Sequence, residues 1–104
     1  MIEPDGVFKY VLLTCAGRTY VRGADLEYHA DIVEAFGPAI AAAGGGARVH
    51  CPGGGRMRVT AVDKRVLVYG YSKGFGRADH GVTAAALRRH LGADWAVDTS
   101  NEGY

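Results

Sequence analysis

At 104 residues, with 48% apolar and 22% charged side chains, the chain has the length and balance of one soluble domain, residues 1–104, around a single core. A formal net charge of +1 offers no global field to nucleic acid or to an acidic membrane surface, so basic residues must act locally. Cys15 and Cys51 are too few for a disulfide scaffold, and no apolar run is long enough for a signal peptide or a membrane span, so the cytoplasm is the expected compartment.

Residues 7–15 are rich in β-branched and aromatic side chains and predict a first strand. Both of its faces are largely apolar, which makes it central in a sheet. Ala16-Gly17 is a tight turn, and residues 18–22 return as a second strand in a hairpin. Asp25 is the expected N-cap of a helix, with Glu27 suiting the dipole in its first turn. Ile32, Val33, Phe36 and Ile40 form its apolar stripe, Pro38 is expected to kink or split it, and Gly44-Gly45 ends it. Residues 47–51 predict a third strand; residues 56–62 are a fourth, or continue the third across a glycine bulge.

Asp63-Lys64 turns the chain into a strand at residues 65–71. Residues 72–81 form a long loop with three glycines, a length that points to function. Thr83 is the expected cap of a second helix running to Leu91, Gly92 stops it, and residues 95–99 are a last strand. This order is α+β: a mixed, mostly antiparallel β-sheet of about six strands flanked by two α-helices.

Two stretches place polar chemistry where core-building would not. Lys9 stands in the apolar strand Val7-Phe8-Lys9-Tyr10-Val11-Leu12, and His29 stands at the helix start in Glu27-Tyr28-His29-Ala30-Asp31-Ile32. His29 reads either as a surface histidine or as a general base. A helix N-terminus disfavours imidazolium, which keeps the ring able to accept a proton, and the same helix end attracts anions. Lys9 is either a snorkelling strand-end charge or a point-charge ligand for phosphate. Arg22, Arg56 and Arg58 lie at strand ends beside glycines, and arginine suits phosphate oxygens, though each is weak alone.

Ser72-Lys73-Gly74-Phe75-Gly76 lets backbone N–H groups approach an anion, yet it matches neither a Walker A loop nor a dinucleotide fingerprint. No metal is expected: His50 and Cys51 are adjacent and point to opposite strand faces, and no Cys-x-x-Cys spacing exists. His80 reads as a loop-organising histidine, and His90 as a last-turn residue that suits the helix dipole.

Taken in order, these segments resemble one family. Asp5-Gly6-Val7-Phe8-Lys9-Tyr10-Val11-Leu12, Val21-Arg22-Gly23 and Glu27-Tyr28-His29-Ala30-Asp31-Ile32 carry the resemblance. So do Cys51, Gly53-Gly54-Gly55-Arg56, Asp63-Lys64, Val68-Tyr69-Gly70-Tyr71-Ser72, Gly76, His80 and the closing Gly103-Tyr104. The chain resembles the fourteen-kilodalton phosphohistidine phosphatases and their Janus/Ocnus relatives. The resemblance implies a monomer without metal or cofactor that hydrolyses the P–N bond of phosphohistidine-containing proteins; the near-neutral charge, for its part, predicts no nucleic-acid or membrane partner. It puts the proton acceptor on His29, the substrate-binding lysine on Lys9, the phosphate loop on Ser72, Lys73 and Gly74, and supporting arginines on Arg22 and Arg56. A non-catalytic phosphohistidine-binding module, or a non-enzymatic Janus/Ocnus-like protein, is the alternative. The chain departs from the family in its short hairpin turn and in Lys73-Gly74, where the family often has Met-Ala.

Overall fold

Apolar side chains on both faces of one strand set the architecture. The computed structural model describes residues 5–101; Met1 to Pro4 and the Gly103-Tyr104 pair of the family signature lie outside the described residues. The strand β1 (Asp5–Cys15) runs antiparallel to both of its neighbours, β2 (Arg18–Ala24) and β3 (His50–Thr60). Beyond β3 come β4 (Arg65–Tyr69), antiparallel to it, and β5 (Ala96–Thr99), parallel to β4. That single parallel pair exists because a helix crosses over between its strands. The fold is α+β on a mostly antiparallel sheet.

Phe8, Tyr10 and Leu12 point to one side of β1, where they pack with Met57, Val59, Val66 and Val68 against Ala84 and Leu87 of the crossover helix, α2 (His80–Leu91). Val11, Leu13 and Cys15 point to the other side, against Ile32 and Ile40 of α1 (His29–Ala43). The helices therefore cover opposite faces of the sheet. Tyr10, Leu13, Ile32 and Met57 are fully buried, and each such side chain stabilises the fold by roughly 2 kcal/mol. Cover on the α1 face ends at Val11: the next outward-alternating residue, Lys9, is half-buried, and Val7 beyond it is 46% exposed.

The sheet has five strands rather than about six, because residues 50–60 run through the glycines as one strand. The bulge lies before the glycines: Leu12 pairs with Gly53 and Thr14 with His50, so β3 spends an extra residue across Cys51-Pro52. Proline is tolerated there, since a bulge needs no ladder donor.

Pro38 sits inside α1 without splitting it. Proline removes the N–H that would bond the Glu34 carbonyl, and both residues are exposed, on the solvent side of the helix. The caps also differ from expectation. Tyr28, not Asp25, is the N-cap of α1, and Asp31 reaches back to accept from the Tyr28 N–H at 3.1 Å. Asp79, not Thr83, caps α2, accepting from Gly81 and Val82. Among the described residues no helix is long and apolar enough to cross a membrane.

Candidate functional site

Three glycines in the middle of a sheet strand would ordinarily weaken it. Here each has a neighbour where a side chain would be. A Cβ on Gly53 would lie 2.6 Å from the Ala78 nitrogen, and one on Gly54 would lie 2.6 Å from the Tyr10 carbonyl oxygen and 2.9 Å from Cδ2 of His29. A Cβ on Gly55 would meet the Tyr69 carbonyl oxygen and, at 2.9 Å, Cε1 of His80. The bare strand lets two histidine rings approach β3 closely, one at Gly54 and the other at Gly55.

His29 opens α1 and is only 6% exposed. Its Nε2 lies 2.9 Å from the Gly55 carbonyl oxygen. A carbonyl only accepts, so Nε2 carries the proton and Nδ1 of the neutral ring is left as an acceptor. Burial pushes the His29 pKa below its ordinary 6.5; the Gly55 bond opposes that, and the charges of Lys9 and Arg56 act with burial. The helix end adds positive potential of its own. The ring is neutral at physiological pH, locked in one tautomer.

Lys9 on β1 stands directly across the ladder from Arg56 on β3, so both side chains project from the α1 face where helix cover has ended. A cleft of about 420 Å³ opens there, lined by Lys9, Glu27, Tyr28, His29, Ala30, Ser72, Lys73, Gly74 and Phe75. Lys9, Lys73 and a neutral imidazole at this cleft, with Arg56 in the adjoining recess, have the chemistry to seat a multiply charged anion beside a base.

The loop after β4 is a tight ring. Ser72 N–H donates to the Gly76 carbonyl at 3.0 Å, Gly76 N–H returns to the Ser72 carbonyl at 2.7 Å, and Phe75 N–H donates to Ser72 Oγ at 3.1 Å. Gly76 adopts φ 87°, a value that glycine takes without strain. Its carbonyl also accepts from Gly54, which ties the loop to the glycine strand. Ser72 is thus buried and committed to shaping the turn, so its N–H is not a donor for an anion. Gly74 is exposed and its amide lies outside the ring's own hydrogen bonds.

Lys9, His29, Ser72, Lys73 and Gly74 meet at this cleft, with Arg56 beside Lys9 in an adjoining recess. Arg22 is not with them. It pairs across from Val11, stacks on Tyr20 and Phe36 at 5.3 and 6.0 Å, and donates to the Val21 carbonyl. Arg58 is exposed, opposite Val7.

His80 is more than a loop organiser. It is the first residue of α2, buried, with Nε2 2.9 Å from the Gly70 carbonyl and Nδ1 2.6 Å from the Tyr10 hydroxyl. Tyr10 also lies 3.1 Å from Thr83 Oγ1, and burial raises its pKa to about 12. The Gly70 bond anchors the approach to the loop. A histidine eight residues past a serine-glycine turn gives no local motif, so only its partner Tyr10 in the first strand reveals the role. Among the described residues, no three histidine, cysteine or acidic side chains gather as a metal-binding group.

Residues 1–93 match the family model described as the Janus/Ocnus family (Ocnus). The sex-regulated protein janus-A of Drosophila melanogaster is 40% identical over 109 residues, covering 99% of this chain and 78% of that protein. The 14 kDa phosphohistidine phosphatase of Sus scrofa is 37% identical over 115 residues, covering 99% of this chain and 89% of that protein.

Proposed function

This chain belongs to the Janus/Ocnus family, and on that premise we propose that it is a protein histidine phosphatase, hydrolysing the P–N bond of phosphohistidine with His29 as general base. The observation that carries the reading is the fixed tautomer: Nε2–H is spent on Gly55, so the lone pair of Nδ1 belongs to a neutral ring at a cationic cleft. The 37% identity to a protein named phosphohistidine phosphatase supports the substrate.

The phosphoryl group sits between Lys9 and Arg56 and the outer loop amides. Water attacks phosphorus in line with the leaving nitrogen, and its proton passes to Nδ1 of His29. The P–N electron pair returns to the substrate imidazole, which leaves neutral when its second ring nitrogen carries a proton. Charge stabilisation and positioning supply most of the catalysis that phosphoryl transfer needs. The same Nδ1 lone pair serves a covalent route, and alkaline-quench trapping of labelled enzyme separates that route from direct hydrolysis. Phosphate release from a phosphohistidine-containing protein tests the reading itself. Binding of that protein without release identifies a non-catalytic module instead.

The acid limb of kcat/KM follows from the direction of the His29 shift. A base must be deprotonated, and its pKa lies below 6.5, so the rate holds at neutral pH and falls only as pH drops through that lowered value. A pH profile corrected for uncatalysed P–N hydrolysis checks this; an acid midpoint above 6.5 contradicts it.

Lys9→Ala should raise KM and lower kcat together, by about tenfold to a thousandfold in kcat/KM, because one developing charge loses its counter-charge. The wild-type rate should be the same in EDTA and in added magnesium or zinc. Loss in EDTA that zinc restores points to a metal enzyme.

The loop offers a cleaner contrast. If its outer amides hold phosphate, Gly74→Pro is severe because it deletes an N–H, while Gly74→Ala is mild because nothing lies within 4 Å of the added Cβ. Lys73→Ala should also be mild. Phosphate affinity by titration ranks the three, and a greater loss in Lys73→Ala than in Gly74→Pro overturns the amide cradle.

A further inference from the structure

The outer strand of an open sheet presents backbone groups that no neighbouring strand takes, and proteins ordinarily blunt or cover them. β2 is such a strand: β1 lies on one side of it, and among the described residues no strand lies on the other. The hairpin fixes which residues face outward. Ala16 and Gly17 have φ of 50° and 77°, the positive values that a type I′ turn takes at both central residues. Such a turn is closed by a hydrogen-bonded pair, here Cys15 with Arg18. Alternation along the ladder then points the backbone groups of Arg18, Tyr20 and Arg22 at β1, and those of Thr19 and Val21 away from it. The Arg22 side chain donates to the Val21 carbonyl at 2.9 Å, which an outward carbonyl allows.

A hollow of about 330 Å³ lies along this edge, between residues 19–22 and the Ala86, Leu87, Arg89 and His90 side of α2. Its charge is one-sided: Arg22, Arg89 and His90 line it, and no acidic residue does. Arg89 and His90 suit the dipole at the end of α2, which accounts for basic side chains there. It does not account for Arg22, which comes from another element. The Tyr20 and Phe36 rings, at 5.3 and 6.0 Å, hold its guanidinium at the strand edge. One donor of that fork goes to Val21, and the fork has others to offer a carboxylate.

An occupant of this place has to bring backbone donors and acceptors to β2 and negative charge to the arginines. A polypeptide does both. A nucleic acid has no amide ladder to join. Two copies of this chain, edge to edge, would bring Arg18 and Arg22 of one against those of the other, and like charges across a ladder oppose pairing.

We propose that the β2 edge and the last turns of α2 form a docking groove for an extended acidic segment of a partner protein. The segment joins the sheet beside β2 and sets its carboxylates on Arg22 and Arg89. The groove is separate from the Lys9–His29 cleft and shares no lining residue with it, so the proposal stands apart from the hydrolase reading.

The test titrates the intact chain with short labelled peptides and follows its backbone amide shifts. A peptide alternating glutamate with valine should bind saturably, with the largest shifts at residues 19–22 and 86–90. Its lysine–valine counterpart should not bind. N-methylation throughout the glutamate peptide keeps the charge but removes the strand donors, and should weaken binding by about tenfold or more. Arg89→Glu, at an exposed position, should cost about tenfold. Thr19→Pro removes an outward N–H, leaves the β1 ladder intact and should cost a similar factor; should it not fold, Arg89→Glu decides alone. Shifts confined to the Lys9–His29 cleft overturn the proposal, as do equal binding of the lysine or N-methylated peptide and unchanged affinity in Arg89→Glu. A single-stranded oligonucleotide that matches the glutamate peptide in affinity and in shifts also overturns it. Shifts at residues 19–22 that appear on raising the chain's concentration alone identify a second copy as the occupant and overturn it too.

Discussion

His29→Ala is expected to lose about two to four orders of magnitude in turnover, the usual worth of a positioned base. The same substitution also acts on the fold. His29 is buried and donates to Gly55, so alanine leaves a carbonyl without its donor and a space beside the glycine strand, at a cost of about 1–3 kcal/mol. Activity loss in alanine alone therefore mixes two effects. His29→Gln separates them, because a glutamine amide reaches the position of Nε2 and can donate to Gly55 while offering no base. The glutamine variant should recover most of the thermal stability and none of the rate. Turnover near wild type in a folded His29→Gln protein removes His29 from the mechanism.

Gly54→Ala should be nearly as damaging, though it adds only a methyl group. That carbon would stand 2.6 Å from the Tyr10 carbonyl oxygen and 2.9 Å from the His29 ring, so strand β1 or the His29 imidazole has to move. Overpacking against backbone lies at the upper end of its range, about 3 kcal/mol, which in a chain of this size is a drop in Tm of more than about 10 °C. The His29–Gly55 bond should be lost with it, and with that bond the tautomer. Gly74→Ala, with open space around it, is the control at the same residue type. A Gly54→Ala protein that melts with wild type and turns over substrate would show that the close approach is dispensable.

The parts of this molecule written in local pattern were legible in its sequence. The first strand, its hairpin and the apolar stripe of α1 follow from alternation and spacing, while the grouping of Lys9, His29 and the 72–74 loop, which line one cleft, was implied by the family resemblance. What escaped depends on contacts far along the chain. For Gly53-Gly54-Gly55 the sequence left open a break between two strands or one continuing strand; it is one strand, because rings and backbone from elsewhere fill the space of its missing side chains. His80 gains its meaning from Tyr10, seventy residues away. Arg22 has the right chemistry at a strand end beside a glycine, but the Tyr20 and Phe36 rings hold its guanidinium on β2. Asp25 is a good cap in isolation; the chain instead spends residues 25–28 reaching the point where His29 can enter the sheet.

Lys9 and Arg56 face each other directly across the β1–β3 ladder, and like charges so placed work against the pairing of the two central strands. A hydrophobic pair at this register would have served the ladder better. On the proposed reading a phosphoryl group bound between the two cations offsets that repulsion, and part of its affinity is then relief of a conflict in the sheet. That relief is granted equally to substrate and to the inorganic phosphate released. Inhibition by inorganic phosphate is therefore the expected kinetic signature of the proposed site, and a Lys9→Ala variant should be inhibited less.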